Sequence, residues 1–316
     1  MAQAALGEEQ GTVTCRRHRL PSQGAYCFMM RRIIPYTVSS AKKGIPDCWQ
    51  AAPRMMYNRL PEDLNRQGDE PMDLNGKVAL VTGGAVRVGK AIALALAQAD
   101  ADVAINYHSS ADAAVTTIAE IEALGRRGIA IRADVAQGAQ VQALVDEVTG
   151  RLGRLDVLVN SASLWRKTPW AELDEGAWDQ LVDIALKGPF LCARAAAPHL
   201  TRHGDGAIIN IVDLSAFIPF SGYMPHSAAK AGLVNLTYSL AMELAPAVRV
   251  NAIAPGPVLP PPDYTEKQME AAARRTLIGR WGAAEDVADA VVFLARAPYI
   301  TGVVLPVDGG ERLARR

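Results

Sequence analysis

Along this chain, from about residue 78 onward, short β-branched runs alternate with longer stretches whose apolar residues recur at helical spacing. Residues 78–81, 102–106, 129–131, 157–159 and 207–212 predict buried strands. Residues 90–98, 111–124, 141–148 and 178–197 predict the helices between them. Such repetition demands parallel strands, because only a crossover helix returns the chain to start a neighbour in the same direction. The expected architecture is a doubly wound α/β fold, a central parallel sheet with helices on both faces.

The alternation stops upstream of Met72. Pro21, Pro35, Pro46, Pro53 and Pro61 interrupt any long element there, and Arg16, Arg17, Arg31 and Arg32 follow no helical stripe. Glu8 and Glu9 come too early for a transit peptide, and no signal-peptide apolar core is present. Residues 1–71 are therefore expected to be an irregular extension, disordered or upstream of a natural start at Met72; a functional tail or targeting segment is the alternative. Residues 72–316 form the expected domain.

Composition narrows the class. Half the residues are hydrophobic and 21% are charged, enough to bury a substantial core. A net charge of +0 argues against global attraction to nucleic acid or an anionic membrane. No apolar run approaches the roughly 18 residues of a membrane-spanning helix. Cys15, Cys27, Cys48 and Cys192 lack metal-ligand spacing, so no metal site and a cytoplasmic location are expected.

Between the first strand and first helix lies Thr82-Gly83-Gly84-Ala85-Val86-Arg87-Val88-Gly89. Glycines there let backbone approach a pyrophosphate, whose charge meets free N–H groups at the helix start. A glycine turn alone is a weak signal; at the head of a whole βα series it is strong. The second strand ends in Asn106-Tyr107-His108-Ser109-Ser110, without the carboxylate that would hold a ribose 2′-hydroxyl. His108 and Ser109, with Arg87 nearby, suit a 2′-phosphate, so NADP(H) is the expected cofactor. The plainer alternative is that these residues only solvate a loop.

These motifs resemble the short-chain dehydrogenase/reductase family, whose Rossmann fold binds nicotinamide dinucleotides, over about 245 residues. The resemblance places Thr82, Gly83, Arg87, Val88 and Gly89 in the family's glycine turn, with Arg87 at its middle glycine position. It assigns Asp134 and Val135 to the adenine, Asn160 to the segment after the fourth strand, and Pro255 and Gly256 to the nicotinamide carboxamide. Lys230 falls where the family's Tyr-x-x-x-Lys lysine grips the nicotinamide ribose. The tyrosine, serine and asparagine positions hold His226, Asp213 and Ala185 instead. In relatives, the segment after Gly256 gates the site; here Pro257, Pro260, Pro261 and Pro262 predict a stiff, extended lid through Arg275. Relatives also imply a homotetramer or homodimer.

The pteridine reductase branch resembles this chain further, sharing the arginine at Arg87 and the aspartate at Asp213. Its substrate-side segment is similar to Asn160-Ser161-Ala162-Ser163-Leu164-Trp165, which puts Ser163 beside the cofactor and Trp165 against a pterin. A tryptophan here is equally readable as core or interface packing. Tyr223 lies three residues before His226 with Pro225 between, off the helix or a turn too early to replace the missing tyrosine; it is expected to contact substrate.

His226 must be imidazolium to act as an acid. Lys230, one turn away, disfavours that form and Asp213 favours it. The expected function is an NADPH-dependent reductase of a pterin or small carbonyl, with Lys230, His226 and Asp213 as its catalytic residues. Two alternatives stand beside it: a general 3-oxoacyl or carbonyl reductase, and a nucleotide-binding sensor or assembly protein without turnover, in which His226 is structural.

Overall fold

The computed structural model describes residues 70–260 and 264–314. The expected extension, with Cys15, Cys27 and Cys48, lies outside the described residues, apart from its last two positions.

Seven parallel strands form one sheet: β1 (Val78–Thr82), β2 (Asp102–Tyr107), β3 (Gly128–Arg132), β4 (Val157–Asn160), β5 (Gly206–Ile211), β6 (Val248–Pro255) and β7 (Val304–Val307). Their order is β3-β2-β1-β4-β5-β6-β7. The direction of winding reverses between β1 and β4, which opens a crevice at the carboxyl ends of those strands.

Alternation within β1 shows how the sequence covers both faces. Ala79 and Val81 join a core with α1 (Arg87–Gln98), α2 (Ala111–Ala123) and α8 (Ala284–Arg296). Val78 and Leu80 point the other way, toward a core with α3 (Gly138–Leu152) and α5 (Gly188–Leu200). Fully buried side chains such as Leu80, Ile92 and Leu158 each contribute roughly 1.5–3 kcal/mol by leaving water. Among the described residues, no helix is long and apolar enough to cross a membrane.

The helix expected over 178–197 differs in detail. It comprises α4 (Glu175–Val182), a π-turn (Asp183–Lys187) and α5. Pro189, near the start of α5, has no N–H to give the Ala185 carbonyl four residues back, and the ladder widens there. The expected extended lid is also corrected. It carries a helix, α7 (Glu266–Arg275), because Thr265 and Gln268 form a capping box at its start. Pro261 and Pro262 lie outside the described residues. The sixth helix, α6 (Met224–Leu244), begins beside β5 and carries the residues of the next section.

Candidate active site

The glycine turn follows β1 and is packed so tightly that larger residues would collide. A Cβ on Gly89 would lie 2.2 Å from the Gly83 carbonyl oxygen, and one on Gly84 would lie 2.7 Å from Ile105. Gly83 itself has a φ of +63°, which L side chains rarely adopt. Asn106, not singled out from the sequence, locks the turn. Its Oδ1 accepts from the Gly83 N–H at 3.4 Å, and its Nδ2 donates to the Ala133 carbonyl at 2.9 Å. The Thr82 hydroxyl accepts from Ser161 and Ala162 N–H groups at 3.0 and 3.1 Å, tying β1 to the segment after β4.

Beyond the turn, α1 starts at Arg87 and no side chain caps it. The positive end of that helix, with Val88 and Gly89 in its first turn, meets the crevice and suits a diphosphate. This close-packed turn and uncapped start fit a nicotinamide dinucleotide. Arg87 has a φ of 53°, the left-handed region. Its guanidinium donates to the Leu259 and Pro260 carbonyls at 3.3 and 3.5 Å. His108 and Ser109 are exposed at the end of β2, where Arg132 donates to the His108 carbonyl at 3.1 Å.

The remaining expected cofactor residues lie along the same edge. Asp134 is half-buried and accepts from the Ala136 N–H at 2.9 Å; Val135 is buried beside it. Asn160 points inward, donating to Asn210 Oδ1 at 2.8 Å, and Asn210 in turn donates to Thr237 at 2.9 Å. The Asn160 Oδ1 is buried without a hydrogen-bond partner among the described residues. Pro255 ends β6, and the Gly256 N–H donates to the Val307 carbonyl at 2.9 Å.

Asp213, His226 and Lys230 come together past the end of β5. Asp213 caps a short 3-10 turn (Leu214–Ala216), its Oδ1 accepting from the Ser215 N–H at 2.8 Å and from the Ser215 hydroxyl at 2.5 Å. Its Oδ2 accepts from His226 Nε2 at 2.6 Å. Lys230, one turn further along α6, donates to the Ile211 carbonyl at 2.7 Å. Ser215 was also not anticipated. An Asp followed two residues later by Ser is a local turn signature that could have pointed to it.

Two charges there are shifted from their ordinary behaviour. Burial pushes the Asp213 carboxyl up, but the His226 hydrogen bond, the charges of Lys230 and His226 and the Ser215 hydrogen bond together hold it below the usual carboxylate range. Burial pushes the Lys230 ammonium down, and the attraction of Asp213 opposes this without cancelling it. With Asp213 ionised, its oxygens only accept, so His226 Nε2 carries the proton between them.

An aromatic group covers this cluster. Trp165 stacks on Tyr223 with centroids 4.3 Å apart, and lies edge-on to His226 at 4.8 Å and to Phe220 at 6.2 Å. Tyr223 is the N-cap residue of α6, outside its helical turns. Trp165 and Ser163 are exposed, whereas Ala185 is buried in the π-turn. Cys192 is buried on α5, its thiol pushed up to about 12 by desolvation. Among the described residues, no three His, Cys, Asp or Glu side chains converge to hold a metal.

Comparison with known proteins places this geometry. Residues 84–311 match a family model described as enoyl-(acyl carrier protein) reductase. A 3-oxoacyl-(acyl-carrier-protein) reductase of Staphylococcus aureus is 39% identical over 241 residues, covering 74% of this chain and 97% of that protein. One from Synechocystis is 39% identical over 242 residues, covering 75% and 97%. A short-chain dehydrogenase of Burkholderia cenocepacia, solved with NADP, superposes with a TM-score of 0.72 at 38% identity, covering 76% of this chain and all of that one (100%). The chain belongs to the short-chain dehydrogenase/reductase family and is an oxidoreductase.

Proposed function

We propose that the domain beginning near Met72 is an NADPH-dependent reductase in which the Asp213–His226 pair, backed by Lys230, supplies the proton. The 2.6 Å contact between Asp213 and His226 carries this reading, because it gives the imidazolium a fixed counter-charge. When bound, the nicotinamide supplies the hydride. Thr82, Gly83, Arg87, Val88 and Gly89 hold the diphosphate side, Asp134 and Val135 the adenine, and Asn160, Pro255 and Gly256 the nicotinamide side. Lys230 holds the ribose. His108, Ser109 and Arg87 favour a 2′-phosphate because residues 107–111 contain no carboxylate.

A small, flat substrate fits the exposed indole of Trp165, which lies edge-on to His226, with Ser163 and Tyr223 at the margin. A reduced pterin has that shape and offers N–H groups to the carboxylate. A 3-oxoacyl substrate is the second reading, favoured by the Staphylococcus and Synechocystis relatives. Exposed Tyr238 and Met242 on α6 favour self-association into a tetramer or dimer, and the composition favours the cytoplasm.

The test is oxidation of NADPH by the full chain with dihydrobiopterin, dihydrofolate and an acetoacetyl thioester. Turnover with a dihydropterin supports the first reading, and turnover with the thioester alone supports the second. NADPH binding without turnover on any compound turns the assignment toward a nucleotide-binding protein.

A further inference from the structure

We infer that Asp213, rather than His226, hands the proton to the substrate, with His226 behind it as the proton store. This rests on the reductase reading. The exposures point the same way, since the Asp213 side chain is 21% exposed and the His226 side chain 2%. Neither imidazole nitrogen faces open space. Nε2 is committed to Asp213 Oδ2 at 2.6 Å, and Nδ1 is buried with no hydrogen-bond partner among the described residues. A histidine meant to meet substrate directly would present one nitrogen to the pocket and anchor the other on the carboxylate. Here the anchored nitrogen faces the carboxylate, and the carboxylate has the open edge.

The surroundings support a store and an outlet. Ser215 holds Oδ1 with two donors, so the carboxylate cannot turn away from His226 without losing both. Trp165, perpendicular to the imidazole at 4.8 Å, lies within reach of a cation–π contact with the imidazolium. Asp213, at the end of β5, is bonded to His226, and the charges of both Lys230 and His226 act on that carboxylate.

The step balances. The Nε2 proton passes to Oδ2 and on from that oxygen to the substrate oxygen or nitrogen. That atom keeps the electron pair released when hydride adds to the neighbouring carbon. The imidazolium becomes neutral imidazole, the carboxylate is regenerated, and NADPH becomes NADP+.

The test uses Asp213→Asn, His226→Gln and the double variant, each saturated with NADPH. The probe is whichever of dihydrobiopterin, dihydrofolate and the acetoacetyl thioester the wild type reduces fastest. A relay in series predicts that either single change costs about 100-fold in kcat, and that the double costs no more than either alone. Direct donation by His226 predicts the opposite: Asp213→Asn keeps most of its rate. That result overturns the relay and leaves the reductase reading intact. A wild type that binds NADPH and reduces none of the probes overturns both.

Discussion

The two ends of the sheet treat buried charge differently. At the amino ends of the strands, carboxylates are fully engaged. Asp156 accepts from the Val78 N–H at 2.9 Å and from two Arg154 nitrogens at 2.7 Å each. Asp102, at the start of β2, accepts from the Arg127 backbone and guanidinium at 2.8 and 2.7 Å. At the carboxyl ends, buried polar atoms remain unspent: His226 Nδ1 and Asn160 Oδ1 have no hydrogen-bond partner among the described residues, and Lys230 is buried against a carbonyl and a nearby carboxylate. Among the described residues, the one comparable atom at the other end, Arg126 Nε, sits 3.6 Å from Asp102 in an ion pair. Polar groups at the amino ends are satisfied within the fold; on the proposed reading, those at the carboxyl ends stay poised for something the fold does not contain.

The sharpest way to break this contrast is to remove one charge from each end. Lys230→Met is expected to lower kcat/KM by about 1,000-fold, on the scale of losing a preorganised electrostatic contact. Its melting temperature should hold or rise, because burial outweighs the attraction of Asp213 on this ammonium. Asp156→Ala should do the reverse. It strands Arg154 and the Val78 N–H, costing about 3 kcal/mol in urea unfolding, while kcat of the folded protein stays unchanged. A Lys230 variant that unfolds, or an Asp156 variant that turns over slowly, would erase the distinction.

Smaller effects sharpen it. His108→Asp should move the NADPH-to-NADH preference toward NADH by about tenfold, since a carboxylate there repels a 2′-phosphate and can hold a hydroxyl. Arg87→Gly should relieve the left-handed backbone by about 1 kcal/mol, seen as a higher melting temperature, while calorimetry shows weaker NADPH binding. The smallest effect is in acid. Asp213 has a depressed folded-state pKa, so its stabilisation is complete above the ordinary carboxylate value of about 3.9. That stabilisation fades as the pH falls through the depressed value. Unfolding free energies of the wild type and Asp213→Asn should therefore converge only under acidic conditions.

The sequence was most legible where backbone does the work. The β-branched runs and the glycine turn announced five of the strands, their direction and the turn after β1, because tight turns and buried strands restrict which residues fit. Side-chain sites were harder. Asp213, His226 and Lys230 could be singled out, but the opposed effects of Lys230 and Asp213 on the imidazole needed distances to weigh. Asn106 and Ser215 escaped notice because buried amides and hydroxyls carry no periodic signal. The π-turn around Ala185 and the helix α7 were missed for a related reason: one proline and one capping box, rather than a long pattern, set them.

The most direct test is the rate of NADPH oxidation by wild type and His226→Phe, each saturated with NADPH and with whichever probe the wild type reduces fastest. Proton supply through the Asp213–His226 pair predicts a His226→Phe enzyme slower by about 100-fold in kcat that still binds NADPH as the wild type does. A His226→Phe enzyme with wild-type kcat would rule that supply out.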